Sequence, residues 1–173
     1  MTDFVRRTVA SPVGPLTLVS HATHLVALLW PEDADGCRVR GMAAREETGS
    51  HPVLDRAEEQ LTEYFAGART SFELPLAPAG TPFQLAAWDE LRRIPFASTR
   101  TYTQQAAAVG RPAAVRAIGA ANGRNPISII VPCHRVVAAT GKLQGFAGGL
   151  GRKQALLDLE RRVAARLTPQ PGA

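Results

Sequence analysis

Apolar positions along this chain follow two rhythms, and the rhythm changes near residue 80. Before that point, short apolar runs are separated by turn residues. Residues 4–10 and 16–20 flank the segment Ser11-Pro12-Val13-Gly14-Pro15, and a third run covers 24–30. That pattern predicts a β-hairpin and a third strand. Residues 31–52 are polar, glycine-containing and without periodicity, which predicts a mobile surface loop. Over 53–65 the spacing becomes helical. Val53, Leu54, Ala57, Leu61, Tyr64 and Phe65 share one face, Glu58, Glu59 and Glu63 the other, and Gly67 supplies a stop. Pro75, Pro78, Gly80 and Pro82 then punctuate a linker.

After the linker the helical rhythm dominates. Thr81 is placed as an N-cap with Pro82 at the first helical position, and Phe83, Ala86, Ala87, Leu91 and Ile94 form an apolar stripe that Pro95 ends. A short helix over 104–109, a turn at Gly110-Arg111 and a second helix over 112–121 make a helix-turn-helix pattern, with Val115, Ile118 and Ala121 facing inward. Arg116 lies in the middle of that second helix among small residues. Small side chains allow close approach to a nucleic-acid surface, and they equally allow close helix packing. Asn122-Gly123-Arg124-Asn125-Pro126 signals a turn. The apolar run 127–131 reads as a buried strand ended by Pro132, and 152–167 as a final helix with Leu156, Leu159 and Val163 inward. The fold class predicted is an α/β N-terminal domain, a small sheet plus a helix, over residues 1–79. A mainly helical C-terminal domain with a helix-turn-helix follows over 80–173.

Charge sharpens the division. Residues 1–80 hold seven Lys and Arg against eleven Asp and Glu, a net of −4, whereas 81–173 hold thirteen against four, a net of +9. The overall +5 therefore belongs to the second half. A domain-sized basic excess points to a polyanion partner, most simply nucleic acid. The apolar runs are too short for a membrane span, and the first residues lack a signal-peptide pattern. Two cysteines, Cys37 and Cys133, in unlike contexts give no disulfide framework, so a reducing cytoplasm is expected. His21, His24, His51 and His134 make no zinc spacing with either, so no metal is expected.

Candidate chemistry sits where the 127–131 run stops, at Pro132-Cys133-His134-Arg135-Val136. The reactive form of cysteine is the thiolate, and neighbouring cations or a histidine base raise its population. A lone cysteine beside a histidine is more often a small buried hydrophobe, so the surrounding sequence has to decide.

That context resembles the O6-alkylguanine-DNA alkyltransferases, the methylated-DNA–protein-cysteine methyltransferases. Asn125-Pro126-Ile127-Ser128-Ile129-Ile130-Val131-Pro132-Cys133-His134-Arg135-Val136 is similar to the family's active-site segment. Thr81-Pro82-Phe83-Gln84 and the stretch from Ile94-Pro95-Phe96 to Thr101-Tyr102 resemble its opening helix and loop. Arg111-Pro112-Ala113-Ala114-Val115-Arg116-Ala117 resembles its recognition helix. Gly148-Gly149-Leu150 and Leu156-Leu157-Asp158-Leu159-Glu160 resemble its closing loop and helix. The match is close over about residues 81–162; the N-terminal half agrees in outline.

The resemblance implies a monomeric, cofactor-free protein that binds duplex DNA bearing O6-alkylguanine through the minor groove. It flips the base and transfers the alkyl group to Cys133 once per molecule; O4-alkylthymine as a further substrate and cooperative clustering on DNA stay open. It assigns His134 as base, Glu160 as its orienting carboxylate, and Tyr102 as a donor to the leaving guanine. Arg116 fills the vacated place in the duplex or contacts phosphate. Ala113, Ala114, Ala117, Arg124 and Arg135 join Tyr102 and Arg116 at the DNA surface. Asn125 holds the turn, and Phe146, Ala147 and Gly148 line the alkyl pocket. Glu160 as a surface carboxylate and Tyr102 as a core aromatic are the readings without the resemblance. Phe146 stands where many members have tyrosine and Ala147 where some have serine, which implies altered pocket polarity. The structural zinc of some relatives has no recognisable ligands here. A damage-sensing relative lacking the acceptor is disfavoured by Cys133, a thiol hydrolase has no need of the basic helix-turn-helix, and the chain is short for a transcription regulator.

Overall fold

The computed structural model describes residues 4–33, 44–169 and 171–172. Strands β1 (Phe4–Val9), β2 (Leu16–His21) and β3 (His24–Leu29) form the predicted antiparallel meander. A fourth strand, β4 (Ala44–Glu46), pairs parallel with β1 and completes the order β3-β2-β1-β4. This corrects the reading of 31–52 as a loop throughout, as does a 3-10 turn at Pro31–Asp33. A three-residue edge strand is held by its backbone ladder and is too short to show alternation. Cys37 lies outside the described residues.

Helix α1 (Pro52–Phe65) covers one face of this sheet, burying Val53, Leu54, Ala57, Leu61 and Tyr64. Arg7 of β1 reaches Asp55 at 2.8 Å and Glu58 at 3.1 Å, fixing the helix on the sheet. The predicted linker begins as part of the sheet's surroundings: Leu25 N–H donates to Pro75 O at 2.8 Å and Ala77 N–H to Leu25 O at 3.0 Å.

The second half contains α2 (Pro82–Arg92), β5 (Arg100–Thr101), α3 (Tyr102–Ala108), α4 (Val115–Gly123), β6 (Val136–Val137) and α5 (Leu150–Leu167). Reciprocal Thr–Gln capping boxes start α2 (Thr81, Gln84) and α3 (Thr101, Gln104). On α2 the inward face is Ala87, Trp88 and Leu91; Ala86, placed in the stripe by sequence, is exposed. Trp88 Nε1 donates to Ala121 O of α4 at 2.9 Å. The helix-turn-helix is locked by a buried amide pair. Gln105 and Asn122 exchange hydrogen bonds of 3.0 and 2.8 Å, and Gln105 also donates to Ala87 O. Helix α4 begins at Val115 rather than at Pro112, because Arg111–Ala114 closes as a turn through Ala114 N–H to Arg111 O.

The run 127–131 is not a strand. Ile127 makes a single bridge to Leu28, after which the chain folds into a tight turn with Val131 N–H on Ile127 O at 3.0 Å. Ile129 sits there at φ 71°, a strained conformation for a β-branched residue. The turn is buried from Ile127 to Val131, so its apolar composition reflects burial on all sides and carries no strand period. One hydrophobic cluster runs from Leu16, Leu28, Trp30 and Tyr64 through Leu91, Ile127 and Ile129 to Cys133 and Leu156, so both halves pack on a common core.

Candidate active site

The site is assembled where the buried turn, the loop after α2 and helix α5 meet. Asn125 builds the turn from inside. Its Nδ2 donates to Val131 O at 2.8 Å and its Oδ1 accepts from Ile127 N–H at 3.0 Å, satisfying two buried backbone groups with one side chain. The chain leaves the turn at Pro132 and enters a 3-10 turn, Cys133–Arg135. Three residues per turn send successive side chains in different directions. His134 and Arg135 both reach Glu160 of α5, while Cys133 lies in electrostatic range of Tyr102 and Lys153.

Glu160 is fully buried and densely bonded. Its Oε1 accepts from Tyr64 OH at 2.8 Å, meets His134 Nε2 at 2.7 Å and takes Arg135 Nη2 at 2.9 Å. Its Oε2 accepts from Arg135 Nε and Ala97 N–H, each at 3.0 Å. Ala97 presents that N–H from a left-handed conformation, φ 59°. Burial pushes the carboxyl upward, but the hydrogen bonds and charges of His134 and Arg135 outweigh it and hold the pKa at about 2. An ionised Glu160 can only accept, so the His134 proton resides on Nε2. Burial lowers the His134 pKa against the pull of Glu160, which favours the neutral imidazole and, with it, a free lone pair on Nδ1. That Nδ1 is buried and has no hydrogen-bond partner among the described residues.

Lys153 is buried and donates to two carbonyls, Val136 O at 2.6 Å and Gln144 O at 2.8 Å. Its ammonium lies 5.8 Å from the Tyr102 ring centroid. Burial lowers its pKa and Cys133 opposes that shift. The carbonyls orient the ammonium without cancelling its charge, so a thiolate at Cys133 has a cation to stabilise it. Tyr102, at the start of α3, donates to Gln144 O at 2.9 Å. Burial, then the charge of Cys133, raises its pKa, so it stays a protonated donor.

Family profiles described as the 6-O-methylguanine DNA methyltransferase ribonuclease-like domain and DNA binding domain match residues 4–78 and 82–162. The methylated-DNA–protein-cysteine methyltransferase of Mycobacterium tuberculosis is 45% identical over 163 residues, covering 94% of this chain and 96% of that protein. The crystal structure of the M. tuberculosis O6-methylguanine methyltransferase superposes with a TM-score of 0.80 at 41% identity, covering 97% and 96% of the two chains. The same organism's OGT, crystallised in complex with DNA, gives 0.83 at 44% identity over 91% and 93%. This chain belongs to the methylated-DNA–protein-cysteine methyltransferase family.

Within that family frame, the residues expected at the DNA surface separate. Ala113, Arg116, Ala117 and Arg124 are exposed on and around α4, and Ala114 is half-buried as its N-cap. Arg135 was expected among them and is corrected: it is 7% exposed, and its guanidinium is taken up by Glu160 and by Ile94 O at 2.8 Å. A cation closed onto an internal carboxylate has no charge to offer a phosphate. The Phe146–Gly148 segment rests on Trp30 of the first half. The Trp30 and Phe146 rings meet edge to face at 5.6 Å, and a Cβ on Gly148 would lie 2.6 Å from the Trp30 ring. Arg152 stacks over Trp30 at 5.1 Å, donates to Val13 O and Gly148 O, and pairs with Glu32, tying this loop to the sheet. Sequence reasoning missed Lys153, Tyr64, Trp30 and Arg152. The first was legible only as one polar residue on the apolar side of α5, in register with Leu156, Glu160 and Val163.

Among the described residues, no helix is long and apolar enough to cross a membrane.

Proposed function

We propose that this protein repairs DNA by moving the alkyl group of O6-alkylguanine onto Cys133, once per molecule. The observation that carries the reading is the buried His134–Glu160 pair beside Cys133, next to a helix-turn-helix, in a chain of this family. The Cys133 thiol gives its proton to His134 Nδ1 through a bridging water, since adjacent residues rarely bond directly. Glu160 then stabilises the imidazolium and Lys153 the thiolate. Sulfur attacks the alkyl carbon; the C–S bond forms as the C–O6 bond breaks, and the electron pair stays on guanine O6. Tyr102 exchanges its bond to Gln144 O for one to the leaving base, which takes up one proton and returns to ordinary guanine. The thioether formed has no activated leaving group, so water does not regenerate the thiol and each molecule acts once.

The O6 edge is inaccessible inside the stack, so the base is flipped out, with Arg116 in the vacated place. Docking is in the minor groove through α4, with Ala113, Ala114 and Ala117 permitting close approach and Arg124 on phosphate; the exposure of Ala113, Ala117 and Arg124 supports this reading. Phe146, Ala147 and Gly148 form the alkyl pocket, and residue 80 marks the junction of two domains. The protein binds as a monomer, and a thiol acceptor requires a reducing compartment, which the cytoplasm supplies. Intact mass spectrometry after mixing with a duplex carrying one O6-methylguanine tests the reading. One added methyl per protein, mapped to Cys133, is expected. Tight binding with no mass change, or many turnovers per molecule, would overturn it.

A further inference from the structure

We infer that Tyr64, in the N-terminal half, is a positioning residue for alkyl transfer: its phenol holds Glu160 Oε1 against His134 and moderates how strongly that carboxylate retains the imidazole's proton. The inference rests on the proposed roles of Cys133 and His134.

Tyr64 lies on α1, far in sequence from both residues, and is fully buried. Its ring is fixed on three sides by Phe65, Phe72 and Phe96, with centroids at 5.2, 5.3 and 6.2 Å. A phenylalanine would satisfy that aromatic cage. The hydroxyl adds a group that is costly to bury unless bonded, and its bond goes to Glu160 Oε1 at 2.8 Å. That is the same oxygen that meets His134 Nε2 at 2.7 Å. Burial and the neighbouring carboxylate raise the phenol's pKa far above its ordinary value, so it remains a donor throughout the working range.

The sign of the effect follows from how the donors share the carboxylate. Oε1 serves Tyr64, His134 and Arg135; Oε2 serves Ala97 N–H and Arg135. Removing one donor from Oε1 leaves more negative charge facing His134 Nε2–H, which favours the imidazolium. The other groups that face His134 are unchanged by such a substitution. They are Glu160 and Lys153 from α5, and Arg135 and Cys133 from its own turn. Tyr64 and Ala97 N–H act on it through Glu160.

The test compares wild type with Tyr64→Phe, which keeps the ring and its cage. Single-turnover methyl transfer from an O6-methylguanine duplex is followed from about pH 5 to about pH 8, and the His134 imidazole is titrated by NMR in both proteins. The expected result is an acid limb moved upward by ~0.5–1 pH unit in the variant, with the His134 titration moving in parallel. A uniform loss of rate with an unmoved limb and an unmoved imidazole would assign Tyr64 a packing role and overturn the inference. Should wild type accept no methyl at all, the reading of Cys133 fails instead, and the imidazole titration alone still decides whether Tyr64 sets the basicity of His134.

Discussion

Asn125→Ala isolates the device that sets Cys133 in place. The native side chain pairs with two buried backbone groups, Val131 O at 2.8 Å and Ile127 N–H at 3.0 Å, and Asn125 itself is 1% exposed. Truncation leaves Ile127 N–H without its partner and Val131 O with only the Cys133 N–H, at 2.9 Å, where water has little access. The orphaned donor costs ~1–3 kcal/mol and the lost bond to Val131 O about 1 kcal/mol more, so the variant is expected to lose about 2–4 kcal/mol, a large part of a small protein's stability. The turn also carries Ile129 in a strained conformation that holds only while its surroundings over-determine it. Relaxation of that turn displaces Cys133, two residues beyond Val131, so single-turnover alkyl transfer is expected to fall at least roughly tenfold even in the folded fraction. Urea unfolding gives the first quantity and a radiolabelled-duplex assay the second. Asn125→Asp adds an internal control. As a carboxylate it keeps the acceptor for Ile127 N–H and loses the donor to Val131 O; once protonated it can donate again. Burial raises the folded-state pKa of the introduced acid, so its stability deficit should widen as pH rises through that value and narrow toward about pH 4. An Asn125→Ala loss below ~1 kcal/mol, or an Asp variant whose deficit ignores pH, would refute the reasoning.

Other outcomes can be checked with less machinery. Glu160 is held at about 2 against an ordinary 4.5, so it contributes stability above pH 4.5 that is lost as pH falls toward 2, roughly 3 kcal/mol in all; His134, lowered from 6.5, adds a loss that begins below that value. Acid titration of the unfolding free energy should show this loss, and Glu160→Gln should flatten the lower part; an unchanged acid limb in that variant would exclude Glu160 as its source. Lys153→Met removes the cation beside Cys133, so carbamidomethylation of Cys133 at neutral pH, mapped by peptide mass to separate it from Cys37, is expected to slow by about tenfold or more. An unchanged rate would show that Lys153 does not support the thiolate. Trp30→Ala empties the floor beneath Phe146 and Gly148 and should cost ~3–5 kcal/mol, while raising transfer of benzyl relative to methyl; a fixed benzyl-to-methyl ratio would disconnect Trp30 from the pocket.

What the sequence made legible depended on how many residues shared one signal. Strands β1 to β3 and helices α1, α2 and α5 repeat a period or carry a cap, and each appears within a few residues of its expected place. Residues 127–131 failed for a physical reason. Four apolar residues interrupted by Ser128 are too few to separate a strand from a turn buried on every side, and a positive φ at an isoleucine is not something periodicity can report. Strand β4 is too short to alternate, and its pairing with β1 is a property of the backbone. At the site, Cys133 and His134 stand out as neighbours, whereas Glu160 is tied to His134 only by the fold, across 26 residues. Arg135 was misplaced because the resemblance carried it to the DNA surface, while the counter-charge that takes it inside lies on a helix distant in sequence.

The first half is more than a support for the second. It sends Tyr64 to the carboxylate behind His134 and Trp30 to the loop expected to face the alkyl group, while Glu32 and Val13 anchor Arg152 at the start of α5. The second half supplies the thiol, the imidazole, the buried cation and the basic helix-turn-helix. Glu160 joins the two, because its donors come from α1, from the loop at Ala97 and from the turn at His134 and Arg135. A carboxylate so widely shared cannot shift toward one partner without releasing another, and this keeps His134 in one orientation and one tautomer. For a protein that reacts once, such rigidity has a direct use: the thiolate has to be in position when the base arrives, since there is no later cycle in which to find it.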